Sequence, residues 1–448
     1  MGTVPDPAAP PPPMGTPRAH RREVLALAVP AFATLVAEPL LLLADTAIVG
    51  HLGTAELAGL GIAGSLMGLL TGLCVFLAYA TTATVARRLG AGDHRGALAG
   101  GIDGMALAAL IGAALTLALQ LGLDAVVGLY GAPPAVALQA VAYLRVVTFA
   151  FPFLLIMLAA TGVLRGLQDT RTPLVVVVAL NLTNVALTLT FVHGFGFGIR
   201  GAAWGTLLAQ SAASLLLAGV VVRGARRSGV PLRVRGAGVL RAARSGGWLV
   251  VRTLALQASI TVTTVVATRM GTTTLAAHQV VNSLWVFLAF ALDAIAIAAQ
   301  AIIGRWLGAG DASAVRALTS MMVRWGVGFG VMLGLALAAA SPWLGVLFSP
   351  DPTVVALVAR TALVLAALLP LAGLVYVLDG VLIGAGDTRY LALAGLAVTV
   401  VYVPLALAVD AAGAGLVWLW VAYGVSMLGR GVALGVRARG VAWQRLGV

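Results

Sequence analysis

Lysine is missing altogether from the 448 residues, so all 28 basic residues are arginine. Without lysine there can be no GxxxxGK phosphate loop, which excludes a P-loop ATP-driven pump within this chain. Cysteine occurs once, as Cys74, so an intrachain disulfide is excluded, and its apolar neighbours suit a small packing residue. Charge is scarce, at 10% of residues. The motifs HExxH, GxSxG and DDxxD do not occur, which argues against a polytopic membrane enzyme. No metal-ligand cluster or cofactor fingerprint takes their place. Gly59-Leu60-Gly61-Ile62-Ala63-Gly64 matches GxGxxG, but it lies in an apolar run with no strand before it, so a dinucleotide site is rejected.

What is present is apolar. With 61% hydrophobic residues and a mean hydropathy of +1.04, the chain reads as a polytopic, all-α membrane protein embedded in a lipid bilayer. Apolar runs of about 20 residues place twelve spans, near 23–48, 57–84, 96–121, 135–163, 173–195, 201–222, 245–268, 276–303, 314–340, 353–383, 390–410 and 414–436. Residues 1–20 form a proline-rich tail expected to be disordered, and 439–448 a second tail. The net charge of +13 is scattered among short loops rather than gathered on a patch, which weighs against a nucleic-acid partner. Roughly 22 of the 28 arginines fall in the two tails and in the loops after even-numbered spans. Both termini are therefore expected on the cytoplasmic side of the cell's inner (plasma) membrane.

The two halves of the chain repeat. Arg87-Arg88-Leu89-Gly90-Ala91-Gly92-Asp93 returns as Arg305-Trp306-Leu307-Gly308-Ala309-Gly310-Asp311, an offset of 311 − 93 = 218. Gly166-Leu167-Gln168-Asp169-Thr170-Arg171 returns as Gly384-Ala385-Gly386-Asp387-Thr388-Arg389 at the same offset, and so does Pro152 as Pro370. Each copy holds six spans, so the expected architecture is two six-helix bundles, 21–222 and 247–438, joined by an Arg-rich linker, 223–246. An even number of spans relates the copies by a pseudo-twofold axis along the membrane normal. Glycines at four-residue spacing, Gly64, Gly68 and Gly72 in span two and Gly326, Gly330 and Gly334 in span nine, are expected to let helices approach closely.

One span carries acids. Thr34 to Gly53 is apolar enough to cross a membrane, yet it contains Glu38 and Asp45 seven residues apart, on one face of a helix with about 3.6 residues per turn. A carboxylate at that depth costs roughly 2.5–3.5 kcal/mol on insertion scales, so it marks function rather than packing. Span five offers polar partners on one face in Asn181, Asn184 and Thr188, and span six adds Thr206 and Gln210. The second half has buried acids of its own, Asp293 and Asp379.

Taken in order, several motifs resemble the multidrug and toxic compound extrusion (MATE) transporters, and within them the DinF branch. They are Ala44-Asp45-Thr46-Ala47-Ile48-Val49-Gly50-His51-Leu52-Gly53, the two Arg-Leu-Gly-Ala-Gly-Asp-like turns, Leu275-Ala276-Ala277-His278-Gln279-Val280-Val281-Asn282, and Gly196-Phe197-Gly198-Ile199-Arg200-Gly201-Ala202-Ala203-Trp204-Gly205-Thr206. Leu378-Asp379-Gly380 points to the DinF branch. The resemblance covers Arg21 to about Arg437. It implies alternating access and antiport, with amphipathic or cationic organic compounds exported against inward H⁺ or Na⁺. It also implies that Asp45 binds the coupling ion and that Pro30 lets span one bend. Glu38, Asn184 and Thr188 would complete the ion site, with Asn181, Thr206, Gln210, Asp293, Asp379, Gln257 and Asn282 as cavity candidates. Two positions depart from relatives: Thr188 stands where some have a second aspartate, and Gln257 where an acid is expected in the second half. H⁺ is favoured over Na⁺, since a lone carboxylate among amides and hydroxyls suffices for a proton. No cofactor, no metal and a monomer are expected. A flippase for a lipid-linked intermediate is the alternative, and it would need basic residues inside the spans.

Overall fold

The computed structural model describes residues 17–447, apart from the side chains of residues 17–21, 38, 39, 42 and 43. Every regular element within them is helical. The first half contains α1 (Pro17–Gly50), α2 (Thr54–Cys74), α3 (Phe76–Gly90), α4 (His94–Gly128), α5 (Pro134–Val147), α6 (Phe151–Gly166), α7 (Arg171–Leu189) and α8 (Gly198–Arg227). The second contains α9 (Gly236–Arg269), α10 (Thr272–Gly308), α11 (Ala312–Phe348), α12 (Pro352–Gly384), α13 (Thr388–Ala411) and α14 (Gly415–Arg439). A 3-10 turn, Thr148–Ala150, joins α5 to α6, and a π turn, Thr190–Gly194, ends α7.

Among the described residues, eleven helical stretches are long and apolar enough to cross a membrane, with α2–α3 and α5–α6 each counting as one. Helix α1, of 34 residues, precedes them and is not one of the eleven. Leu121 on α4 is 81% exposed and Leu347 on α11 is 76% exposed, an arrangement suited to lipid rather than water.

The repeated glycine–aspartate turns are helix stops followed by helix starts. Gly92 and Gly310 take positive φ, 76° and 79°, and end α3 and α10. Asp93 then accepts from Gly96 N at 2.7 Å, and Asp311 accepts from Ser313 N at 3.0 Å and Ala314 N at 2.9 Å, capping α4 and α11. At the second repeated turn Gly386 sits at φ 74°, whereas its counterpart Gln168 is held at φ 68°, the one described non-glycine residue with positive φ.

Contacts divide the described chain into two compact units: one holds Leu25–Gly246, the other residues 247–447 with the first turns of α1 up to Val24. In the first unit a Cβ at Gly112 would stand 2.5 Å from Pro152 Cα, and in the second a Cβ at Gly330 would stand 2.9 Å from Pro370 Cα. The same close approach therefore recurs 218 positions on. Pro152 has no N–H for the carbonyl of Thr148, and the Thr116 hydroxyl donates to that carbonyl instead, at 2.8 Å.

One expectation needs correcting. Gly326, Gly330 and Gly334 do bring α11 against α12, but Gly68 and Gly72 on α2 face open space, so span two has no glycine-packed seam there. Most of the Arg-rich stretch 223–246 is helix, since α8 runs to Arg227 and α9 starts at Gly236. Arginine is a good helix former, and Asp103 on α4 anchors the start of α9 by accepting from Arg235 N at 3.0 Å and Arg235 Nη2 at 2.8 Å. The C-terminal segment is also held: Trp443 is 2% exposed, and Gly447 N donates to Leu307 O at 3.0 Å.

Candidate functional site

The first unit gathers a polar cluster around Asp45. Asp45 on α1 is 6% exposed, and Asn184 and Thr188, one turn apart on α7, are fully buried. The Thr188 hydroxyl lies 3.5 Å from Asp45 Oδ1 and 3.4 Å from Asn184 Oδ1, and Asn184 Nδ2 donates to Thr206 Oγ1 on α8 at 3.0 Å. A hydroxyl has one hydrogen, so Thr188 serves either Asp45 or Asn184 at a given moment. Tyr143 on α5 hydrogen-bonds Thr206 and lies within electrostatic reach of Asp45. Among the described residues no arginine pairs with Asp45. The seam is close because α8 offers glycine: a Cβ at Gly205 would lie 2.7 Å from Thr188 Oγ1.

Further along α7, Asn181 Nδ2 donates to Ala37 O at 2.6 Å, while Asn181 Oδ1 and Gln210 Oε1 are buried without partners. Both orphans are acceptors, so this wall asks for donors or a cation. The side chain of Glu38 lies outside the described residues.

Pro30 sits inside α1 and cannot donate to the carbonyl of Ala26 four residues back. Thr170 supplies the missing donor at 3.3 Å, and Thr34 donates to Pro30 O at 2.8 Å. The Thr170 hydroxyl thus replaces the backbone bond that Pro30 cannot make, and the Thr34 hydroxyl adds to the one on Pro30 O.

The second unit has the same scaffold with different chemistry. Thr399 Oγ1 donates to Ala255 O at 2.9 Å, the repeat of Asn181 on Ala37. The position repeating Asp45 is Thr263, which hydrogen-bonds the hydroxyl of Tyr402, itself the repeat of Asn184, at 2.5 Å. Asp379 on α12 is instead clasped by two arginines, Arg252 from α9 and Arg430 from α14. Arg252 forks onto it, with Nε 3.3 Å from Oδ1 and Nη2 on Oδ2. Asp379 is a substrate or ion cavity candidate from the sequence, and in the structure its carboxylate is shared by two guanidinium groups, which leaves little of it for a cation. Asp293 on α10 is half-buried, within electrostatic reach of Tyr376. Gln257 lies on the exposed side of α9, and Asn282 on α10 is half-buried. His278, at the entrance of α10, is fully buried and ties that helix to α9 through Thr264 Oγ1 at 3.0 Å.

The chain matches the family described as MatE over residues 30–190 and 249–408. It belongs to the MatE family. The first matched segment contains Asp45, Tyr143, Asn184 and Thr188 and the second Arg252 and Asp379, while Thr206 and Arg430 lie just beyond them, and members of the family are multidrug efflux transporters rather than enzymes. Among curated relatives, this MatE protein is 32% identical over 382 residues to Protein DETOXIFICATION 44, chloroplastic, of Arabidopsis thaliana, covering 83% of this chain and 73% of that one. It is 28% identical over 397 residues to DNA damage-inducible protein F of Escherichia coli, covering 84% and 85%. Among solved structures, the Vibrio cholerae MATE transporter VcmN in the bent form superposes with a TM-score of 0.86 at 21% identity, covering 94% of this chain and 97% of that one. The MatE chain is therefore a multi-pass membrane transporter.

Sequence reasoning missed three residues of these clusters. Tyr143 looks like a core aromatic in an apolar run. Arg252 and Arg430 had a readable signal, since each places a guanidinium inside an apolar helix whose neighbour carries Asp379.

Proposed function

We propose that this MatE protein, placed in the DinF branch, exports amphipathic or cationic organic compounds by alternating access of its two lobes, in exchange for H⁺ entering through the Asp45 cluster. Both termini then face the cytoplasm, in the cell's plasma membrane. The observation that carries this reading is a buried carboxylate with a hydroxyl and an amide beside it and no described arginine paired to it. Such an acid can change charge during a cycle, whereas Asp379, held by two arginines, cannot do so cheaply.

The coupling follows from hydrogen counting. An ionised Asp45 accepts from Thr188. A protonated Asp45 becomes a donor to Thr188 Oγ1, which turns the Thr188 hydrogen towards Asn184 Oδ1. One proton thus reverses the hydrogen bond between α1 and α7 and passes the Thr188 hydrogen to Asn184, and the weak point at Pro30 lets α1 respond.

A specific feature favours Na⁺ as the second reading. Asp45 Oδ1, Thr188 Oγ1 and Asn184 Oδ1 lie side by side, and oxygen is the ligand type that a hard cation takes. Transport of a fluorescent cationic dye by purified protein in sealed vesicles separates the two. Movement driven by an imposed pH gradient and abolished in Asp45→Asn supports H⁺, whereas movement driven only by a Na⁺ gradient overturns it. Dye movement untouched by Asp45→Asn removes the coupling role from Asp45.

A further inference from the structure

Arg223, Arg226 and Arg227 end α8, Arg233 lies in the connection that follows, and Arg241 and Arg244 stand in the first turns of α9, all within the first unit. All six are exposed, and none makes an ion pair among the described residues. The sequence has no acid between Asp169 and Asp293, so no carboxylate is close to them along the chain. Among the described residues, the one ion pair made by residues 223–246 is that of Arg235 with Asp103, at 2.8 Å. Arginines near other helix ends do find acids: Arg437 meets Asp387 at 2.6 Å and Arg145 meets Asp124 at 3.3 Å.

The connection is fixed in place. Arg235 donates to Asp103 through its backbone N–H as well, at 3.0 Å, Val230 is 5% exposed, and Val230 N donates to Ala225 O at 2.9 Å. A Cβ at Gly229 would lie 3.6 Å from Arg95 Nη2, so the turn brings another exposed guanidinium alongside. The depth of the group follows from α8, which is long and apolar enough to cross a membrane. Leu216, Val220, Arg223 and Arg227 are spaced by four, three and four residues, which keeps them on one face of a helix with about 3.6 residues per turn. Leu216 is 60% exposed and Val220 38%, as suits acyl chains, and the same row then ends in guanidinium groups at headgroup level. Beyond the turn, Leu240 is 59% exposed one helical turn before Arg244 on α9.

We propose that this arginine shelf is a docking surface for anionic phospholipid, with its guanidinium groups on the headgroup phosphates and Leu216, Val220 and Leu240 along the acyl chains. Charge complementarity selects that occupant. The six groups are all positive, and a guanidinium fork matches a phosphate with two parallel N–H donors. The apolar residues beside them call for a chain rather than water. A zwitterionic lipid is disfavoured, because its ammonium group would meet a surface with no acid to receive it. The inference needs only that the chain crosses a membrane, and it is independent of the coupling ion.

The test titrates purified full-length protein in neutral detergent with dioctanoyl phosphatidylglycerol, dioctanoyl phosphatidylcholine and glycerol phosphate, counting bound molecules by native mass spectrometry. At equal concentration, at least fivefold more phosphatidylglycerol than phosphatidylcholine should bind at low salt. The preference should shrink as salt is raised, because exposed charges are screened beyond about 10 Å at 0.1 M. Arg223→Gln/Arg227→Gln/Arg241→Gln should bring the ratio to within about twofold, and Arg226→Gln/Arg233→Gln/Arg244→Gln repeats the test on the other half of the shelf should the first variant fail to fold. Arg316→Gln/Arg324→Gln/Arg360→Gln removes the same charge from exposed positions on α11 and α12 and should leave the ratio unchanged. No preference for phosphatidylglycerol, a preference indifferent to salt, equal losses in shelf and control variants, or glycerol phosphate bound as tightly as the lipid would overturn the proposal. So would a short oligonucleotide that displaces the lipid and loses its own binding in the shelf variants, since the surface would then serve nucleic acid.

Discussion

Thr188 stands with its hydroxyl 3.5 Å from Asp45 Oδ1 and 3.4 Å from Asn184 Oδ1, between the two groups it can serve. A residue in that place controls communication more than binding. Thr188→Val should leave the fold intact and dye binding near normal while lowering gradient-driven transport about tenfold, whereas Thr188→Ser should restore most of it. Initial rates in vesicles at several internal pH values check this; a Val variant with wild-type rates would remove Thr188 from the coupling path.

Two buried arginines share the one carboxylate of Asp379, so its loss should be costly. Asp379→Asn removes the carboxylate charge that both guanidinium groups share and should destabilise the protein by about 3–5 kcal/mol. Arg430→Gln, which leaves the Arg252 fork in place, should cost distinctly less. Thermal unfolding in detergent compares them, and equal losses would mean that the network is not organised around Asp379.

Gln168 occupies a left-handed backbone position that its repeat fills with Gly386, at φ 68° and 74° respectively. Its buried Nε2 has no partner either. Gln168→Gly should therefore stabilise the turn by about 1 kcal/mol, a rare gain from removing a side chain. A rise of the thermal midpoint is expected, and a fall would show that the Gln168 side chain is needed by something outside the turn.

At the turn before α11, the backbone N–H of Ala314 first, and then the hydroxyl and N–H of Ser313, hold the Asp311 carboxyl below its ordinary 3.8. The folded value is depressed, so the stabilisation is fully present above pH 3.8 and is lost as pH falls through the lower folded value. Asp311→Asn keeps an acceptor for the cap and should remove that pH dependence, while Asp311→Ala should cost about 1 kcal/mol near neutral pH. Unfolding followed from pH 6 to pH 3 distinguishes the two variants.

The helices were legible because apolar runs and glycine–aspartate turns are local signals, and the repeat was legible because both turns recur at one offset. The break of α2 from α3 at Val75 and the fate of Gly68 and Gly72 were not, since spacing says which residues share a face but not which face meets a neighbour. Asp45, Asn184, Thr188 and Thr206 could be named because polar groups inside apolar helices are conspicuous. Their order of hydrogen bonding could not be read, nor could the choice of Arg252 and Arg430 as the partners of Asp379, which joins helices 127 and 51 residues away.

Cys74 is 6% exposed at the end of α2, and no lysine exists to compete with it. To reagents that seek thiols or side-chain amines the molecule is nearly blank. A cysteine introduced on an exposed helix face will be the first thiol that a maleimide probe meets, so pairs of dyes or spin labels can report distances across the transport cycle without first stripping the protein of its native chemistry.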